Sequence, residues 1–214
     1  MSSQPSTAAS ITPIDAPRRT LSARQAATVE GLTEAAVAEL SAVGYSALTV
    51  RNVAKRAGVA PATAYTYFGS KEHLVAEVFW RRFRSQPAAE PSGSVVDRAT
   101  GVLSSFALLV ADEADLAAAC TVAVLADDPD VSVLRERIGT ELHRRLLAAL
   151  GSSATPSVVT TLQYAVSGAL LQVGTGHLGY DALPEVLEKL DELFLYILRE
   201  FTVQQVFSEL LRVF

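Results

Sequence analysis

Between Thr49 and Leu74 the chain reads TVRNVAKRAGVAPATAYTYFGSKEHL, and this stretch constrains the fold more than any other. Thr49 is a natural N-cap, followed by apolar Val50, Val53, Ala54 and Ala57 at helical spacing. Gly58 closes that short segment, and Pro61 suits the first turn of a second one running to about Tyr67. Only Gly58-Val59-Ala60 separates the two, a connection short enough to make them cross steeply. Small Ala54 and Ala57 permit close helix contact, and Gly58 tolerates positive φ. Val50, Val53, Val59 and Ala64 are then expected to meet beneath the corner, leaving Ala62, Thr63, Tyr65 and Thr66 outside. A major groove accepts this geometry: a helix N-terminus and short polar side chains at the base edges. Arg51, Lys55, Arg56 and Lys71 surround the outer face with cations suited to phosphate.

The remaining chain predicts helices throughout. Val29, Leu32, Ala36, Val37, Leu40 and Val43 recur at three- and four-residue steps before Gly44, giving a first helix from about Leu21. Ser70 caps a longer helix with a stripe of Leu74, Val78, Phe79 and Phe83. Ser94 with Asp97 forms a capping box opening a helix to about Val110, and Leu116–Leu125 is a further helical segment. Asp128-Pro129 and Thr155-Pro156 are repeated start signals, and Pro184-Glu185 opens the last helix. No strand-like alternation persists, so the fold class is all-α. Residues 1–20, rich in Ser, Thr, Pro and Ala, read as a disordered arm whose Arg18 and Arg19, with Arg24, are candidates for minor-groove contact. Residues 21–84 form one unit and 85–214 a second, with a linker at QPAAEPSG, Gln86 to Gly93.

Charge divides along the same line. Residues 1–84 carry ten Lys/Arg against six Asp/Glu, whereas 85–214 carry eight against seventeen, together making the formal net charge of −5. Only the first unit is therefore suited to a polyanion. With half of the residues apolar, the chain is rich enough to build a packed core. The N-terminus does not read as a secretory signal, and the expected compartment is the cytoplasm.

The Thr49–Leu74 stretch resembles the tetracycline-repressor (TetR) family of transcriptional regulators. Matching residues are Thr49-Val50-Arg51-Asn52-Val53-Ala54, Ala57-Gly58-Val59, Pro61, Thr63, Tyr65, Tyr67-Phe68 and Ser70-Lys71-Glu72-His73-Leu74. The resemblance covers about Ala23 to Phe83 in motif and the remainder only in helix count and length. It implies an N-terminal three-helix helix-turn-helix DNA-binding domain followed by a helical ligand-binding and dimerisation domain. It also implies phosphate contacts from Thr49, Arg51, Tyr65, Tyr67 and Lys71. Base contacts would come from Thr63 and its neighbours Pro61, Ala62 and Thr66. Phe68 is assigned to the core. Two positions depart from the family pattern. Ala60 replaces the usual Ser or Thr cap of the recognition helix, a loss of about 1 kcal/mol. Thr66 stands where a larger polar or basic side chain is common, which shifts the expected readout toward thymine methyls and DNA shape.

From Leu146 through Tyr180, 35 residues contain no Asp, Glu, Lys or Arg. A helix without a charged face is expected to be covered on several sides. A membrane span is disfavoured by the interspersed Thr160, Thr161, Gln163, Ser167 and Gln172. The last helix is apolar all round at Leu193–Leu198, and an apolar stripe continues after Phe201. Two such helices imply an isologous homodimer, as the TetR resemblance also does. The resemblance further implies an operator of double-stranded DNA, pseudo-palindromic, and a repressor released by a small molecule, with activation as the other possibility. An apolar or weakly polar effector would sit among helices spanning 94–175. Candidate lining residues are Phe106, Leu109, Cys120, Val124, Leu142, Tyr164 and Leu171, with His143, Gln163 and Tyr164 orienting it. Simple core packing explains the same apolar residues.

Catalytic chemistry does not assemble. His73, His143 and His177 have no partner at metal-ligand spacing, and Cys120 is the single cysteine. No spacing supports a Ser/His/Asp triad, no cofactor is expected, and Asp127-Asp128-Pro129-Asp130 is explained by a helix N-terminus. The alternative to a DNA-binding regulator is a helical ligand-binding or adaptor protein of the same fold that no longer binds DNA.

Overall fold

The computed structural model describes residues 22–87, 92–190 and 192–193, and every regular element in them is helical. The elements are α1 (Ala23–Ala47), α2 (Val50–Arg56), α3 (Pro61–Tyr65), α4 (Lys71–Ser85), α5 (Val95–Ala107), α6 (Ala114–Val124), α7 (Pro129–Leu150) and α8 (Pro156–Gly174). Residues 183–190 are helical as well. Arg18 and Arg19, residues 194–198 of the apolar run and the tail after Phe201 lie outside the described residues.

The caps legible in the sequence organise these boundaries. Thr49 accepts from the Asn52 N–H, Ser70 from His73 and Thr155 from Val158. Ser94 and Asp97 complete their capping box, and the Asp128 carboxylate accepts from both Asp130 and Val131. Each cap satisfies N–H groups that have no partner within their own helix. Gly44 interrupts α1 with φ 73° and ψ 165°, and the buried stripe ends before it: Val43, expected inside, is 42% exposed in the last turn before the break. α5 stops at Ala107, three residues short of the expected end, and the following turn still carries Val110 into the core.

α4 is the organising element, packing against α1, α6 and α7. A single buried cluster runs from Val29 on α1 through Leu74 and Phe83 on α4 to Leu183 and Leu187. Apolar burial therefore continues across positions 84 and 85. The Phe106 ring of α5 meets both Phe79 and Phe83 of α4 edge-to-face. Arg145 on α7, 7% exposed, reaches the end of α4, donating to Phe83 O at 2.8 Å and Gln86 O at 3.2 Å. At the opposite end of α4, the Ser70 hydroxyl donates to Asp128 at 2.6 Å, tying together the caps of α4 and α7.

Candidate nucleic-acid interface and helical cavity

The α2–α3 corner forms as its residue types require. Gly58 takes φ 66°, where a side chain would be strained. Val53, Ala54 and Ala64 are fully buried beneath it, Val50 is 3% exposed, and Val59 is half-buried against the same core. Pro61, Ala62, Thr63, Tyr65 and Thr66 are all exposed, so α3 turns an uninterrupted outer face to solvent. Ala60 makes no side-chain cap bond, which leaves the first N–H groups of α3 to other partners. The Thr66 hydroxyl donates to Thr63 O at 2.7 Å and to Ala62 O at 3.1 Å, so it offers a methyl and acceptor lone pairs outward. Phe68 is buried, 2% exposed.

The surrounding cations divide into two kinds. Arg51 and Lys55 are exposed and make no ion pair among the described residues. Arg56 is held by Glu39 at 2.6 Å, a carboxylate only 11% exposed. Lys71 is half-buried, donating from Nζ to Tyr45 O at 2.9 Å and lying 4.3 Å from the Tyr45 ring centre. Tyr45 itself donates to Glu72, and burial, followed by that carboxylate, pushes its phenol well above the ordinary range. Thr49 is exposed with its oxygen committed to the cap, and Tyr67 is half-buried.

A cavity of about 310 Å³ lies among α4, α5, α6, α7 and α8. Six residues expected from the sequence line it: Phe106, Cys120, Val124, Leu142, Gln163 and Leu171. Leu109, His143 and Tyr164 do not. Tyr164 is 74% exposed, because one helical step from Gln163 turns a side chain about 100° away from the cavity. Leu109 is half-buried in the turn after α5. His143 stands behind the wall, its Nδ1 3.0 Å from Gln163 Oε1. Gln163 Nε2 donates to Gly139 O at 3.1 Å, so both ends of that amide are held. Phe79, Thr121, Arg135, Ile138 and Tyr180 also line the cavity and were not foreseen. Phe79 and Ile138 carry ordinary core-stripe signals, whereas the cavity side of Arg135 has no sequence signature. Burial pushes the Cys120 thiol up to about 12, keeping it protonated in the wall.

An exposed, cation-flanked second helix of a helix-turn-helix, mounted on a helical body with a cavity among its helices, defines a DNA-binding transcriptional regulator. Residues 32–78 match the family described as "Bacterial regulatory proteins, tetR family". The HTH-type transcriptional regulator Rv0767c of Mycobacterium tuberculosis (strain ATCC 25618 / H37Rv) is 46% identical over 167 residues, 77% of this chain and 78% of the relative. The chain belongs to the tetR family. The HTH-type transcriptional repressor KstR of Rhodococcus jostii (strain RHA1) is 30% identical over 129 residues, 59% of this chain and 60% of KstR. Among solved structures, a TetR transcriptional regulator from Rhodococcus sp. RHA1 shares the fold with TM-score 0.66 and 23% identity, over 82% of this chain and 98% of that one. The regulator FadR from Bacillus subtilis, in complex with stearoyl-CoA, has TM-score 0.53 and 18% identity, over 74% of this chain and 95% of its own. Among the described residues, no helix is long and apolar enough to cross a membrane.

Proposed function

We propose that this regulator is a repressor, binding a pseudo-palindromic operator as a homodimer and leaving it when a small, mainly apolar molecule fills the cavity. The name of KstR, a transcriptional repressor, supports repression. In this reading α3 enters the major groove, with Pro61, Ala62, Thr63 and Thr66 at base edges. Thr49, Arg51, Tyr65, Tyr67 and Lys71 position the corner on phosphates. The effector contacts Phe106, Cys120, Val124, Leu142, Gln163 and Leu171.

The dimer face is expected on α8. Its exposed residues away from the cavity, Ser157, Thr160, Thr161, Tyr164 and Gly168, carry no charge, and Tyr164 is 74% exposed. An uncharged outer face suits a helix covered by a second copy.

The single observation that carries the proposal is the position of α4. This helix begins at Lys71, six residues after the end of α3 at Tyr65, and its Phe79 forms part of the cavity wall. A ligand that displaces Phe79 thus acts on the helix carrying the corner, and the coupling equals its preference between the two placements, typically 1–3 kcal/mol. Footprinting on the DNA upstream of the chain's own gene, with sedimentation of the same protein, tests the proposal. The expected result is a two-chain particle protecting two half-sites about one helical turn, or a multiple of it, apart. A single-chain particle, or protection without two-fold symmetry, would refute it.

A further inference from the structure

Arg135 is the one ionisable cation or anion lining the cavity among the described residues; the rest of the wall is aliphatic, aromatic or neutral polar. Its Nη1 donates to Val124 O at 2.9 Å, the last residue of α6, and to Ala126 O at 2.8 Å, two residues beyond it. That use is structural, since a cation at a helix C-terminus satisfies carbonyls left open there. It leaves Nε and Nη2 without a hydrogen-bond partner, and no carboxylate of the described residues lies within ion-pairing distance. Arg137 is exposed and does not line the cavity, and four other arginines of the helical body are engaged elsewhere. Arg82 is paired with Glu113, Arg144 and Arg145 share Glu141, and Arg98 donates to Ala149 O and Gly93 O.

A neutral apolar ligand in this cavity would strip water from an unpaired guanidinium and return nothing for it. An anion would restore the pairing, and the planar fork fits a carboxylate bidentately. The apolar remainder of the wall, Phe106, Ile138, Leu142 and Leu170 among it, suits a hydrocarbon body.

We infer that the effector is an amphiphilic organic acid, its hydrocarbon part in the cavity and its carboxylate on Arg135. The inference rests on the cavity being the effector site and adds the class of ligand. Gln163, held by His143 and Gly139, supplies a fixed amide elsewhere on the same wall.

The test uses three matched probe pairs: dodecanoate with dodecanol, hexadecanoate with hexadecanol, and naphthoate with naphthalenemethanol. Each is titrated by calorimetry into the full-length protein and into Arg135→Gln and Arg135→Lys. In the wild type at least one carboxylate binds about 10- to 100-fold more tightly than its alcohol, the range expected for a charge-assisted hydrogen-bonded contact. Its affinity also falls with added salt, whereas that of the alcohol does not. Arg135→Gln abolishes the preference, and Arg135→Lys retains part of it, a comparison that stands even where the Gln variant is too unstable to titrate. Equal binding of acid and alcohol overturns the carboxylate assignment while leaving the cavity as the effector site. A preference that survives in Arg135→Gln overturns it equally. Failure of every probe to bind removes the effector cavity, and this inference with it.

Discussion

Arg144 and Arg145 share one carboxylate, Glu141, yet their side chains are 61% and 7% exposed. Arg145 is replaced by Met, which keeps the aliphatic stem and removes the guanidinium. The lost contacts are the 2.7 Å bond to Glu141, those to Phe83 O and Gln86 O, and the guanidinium packed 4.4 Å from the Phe83 ring centre. Breaking a buried ion pair costs about 3–5 kcal/mol when the partner is left uncompensated. Here Glu141 keeps Arg144, and Phe83 O still accepts from Gln86 N, so the expected loss falls to about 2–3 kcal/mol. Arg144→Met removes an exposed pair and is expected to cost less than about 1 kcal/mol. Urea unfolding followed by circular dichroism measures both, with a shifted midpoint at unchanged slope as the signature of a stability change. Comparable losses in the two variants, or less than about 0.5 kcal/mol for Arg145→Met, would refute the reasoning that burial decides between them.

Three further outcomes are expected. Ser70→Ala loses the cap of α4 and the bond to Asp128, and thermal unfolding should report a cost of about 1–2 kcal/mol. A Cβ at Gly174 would run into the side chain of Thr121 on α6, so Gly174→Ala should destabilise by about 1–3 kcal/mol, and adding Thr121→Ala should recover most of it. Glu141 is held at about 2 by Arg144 first and Arg145 second, and Asp128 is lowered by its Ser70 hydrogen bond first. Depressed carboxyls contribute fully above their unfolded pKa and lose that contribution as pH falls through the folded one. Unfolding midpoints should therefore drop between about pH 5 and pH 2, and Glu141→Gln should flatten the drop.

Helix starts were legible because Ser, Thr and Asp caps act locally: Thr49, Ser70, Ser94, Asp128 and Thr155 all cap where the pattern places them. The corner was legible for the same reason, its geometry being fixed by Gly58, Pro61 and small alanines within a dozen residues. Partnerships distant in sequence were not. Lys71 and Arg56 read as free cations, but the backbone of Tyr45 and the carboxylate of Glu39 occupy them from α1. In the cavity, an apolar stripe does not say which of its members border empty space, so Leu109 and Phe106 read alike. Arg135 was not legible as a cavity residue, because an arginine beside Glu136 and Arg137 on an amphipathic helix reads as surface.

The most direct test of the α2–α3 corner as a DNA-docking element is the salt dependence of operator affinity, measured by fluorescence anisotropy for the wild type and for Arg51→Ala on α2. Affinity should fall on the order of 10³-fold between low and moderate salt, with the logarithmic slope reduced by about two in the variant, one phosphate lost per half-site. Affinity that does not respond to salt, or a slope unchanged by removing Arg51, would contradict it.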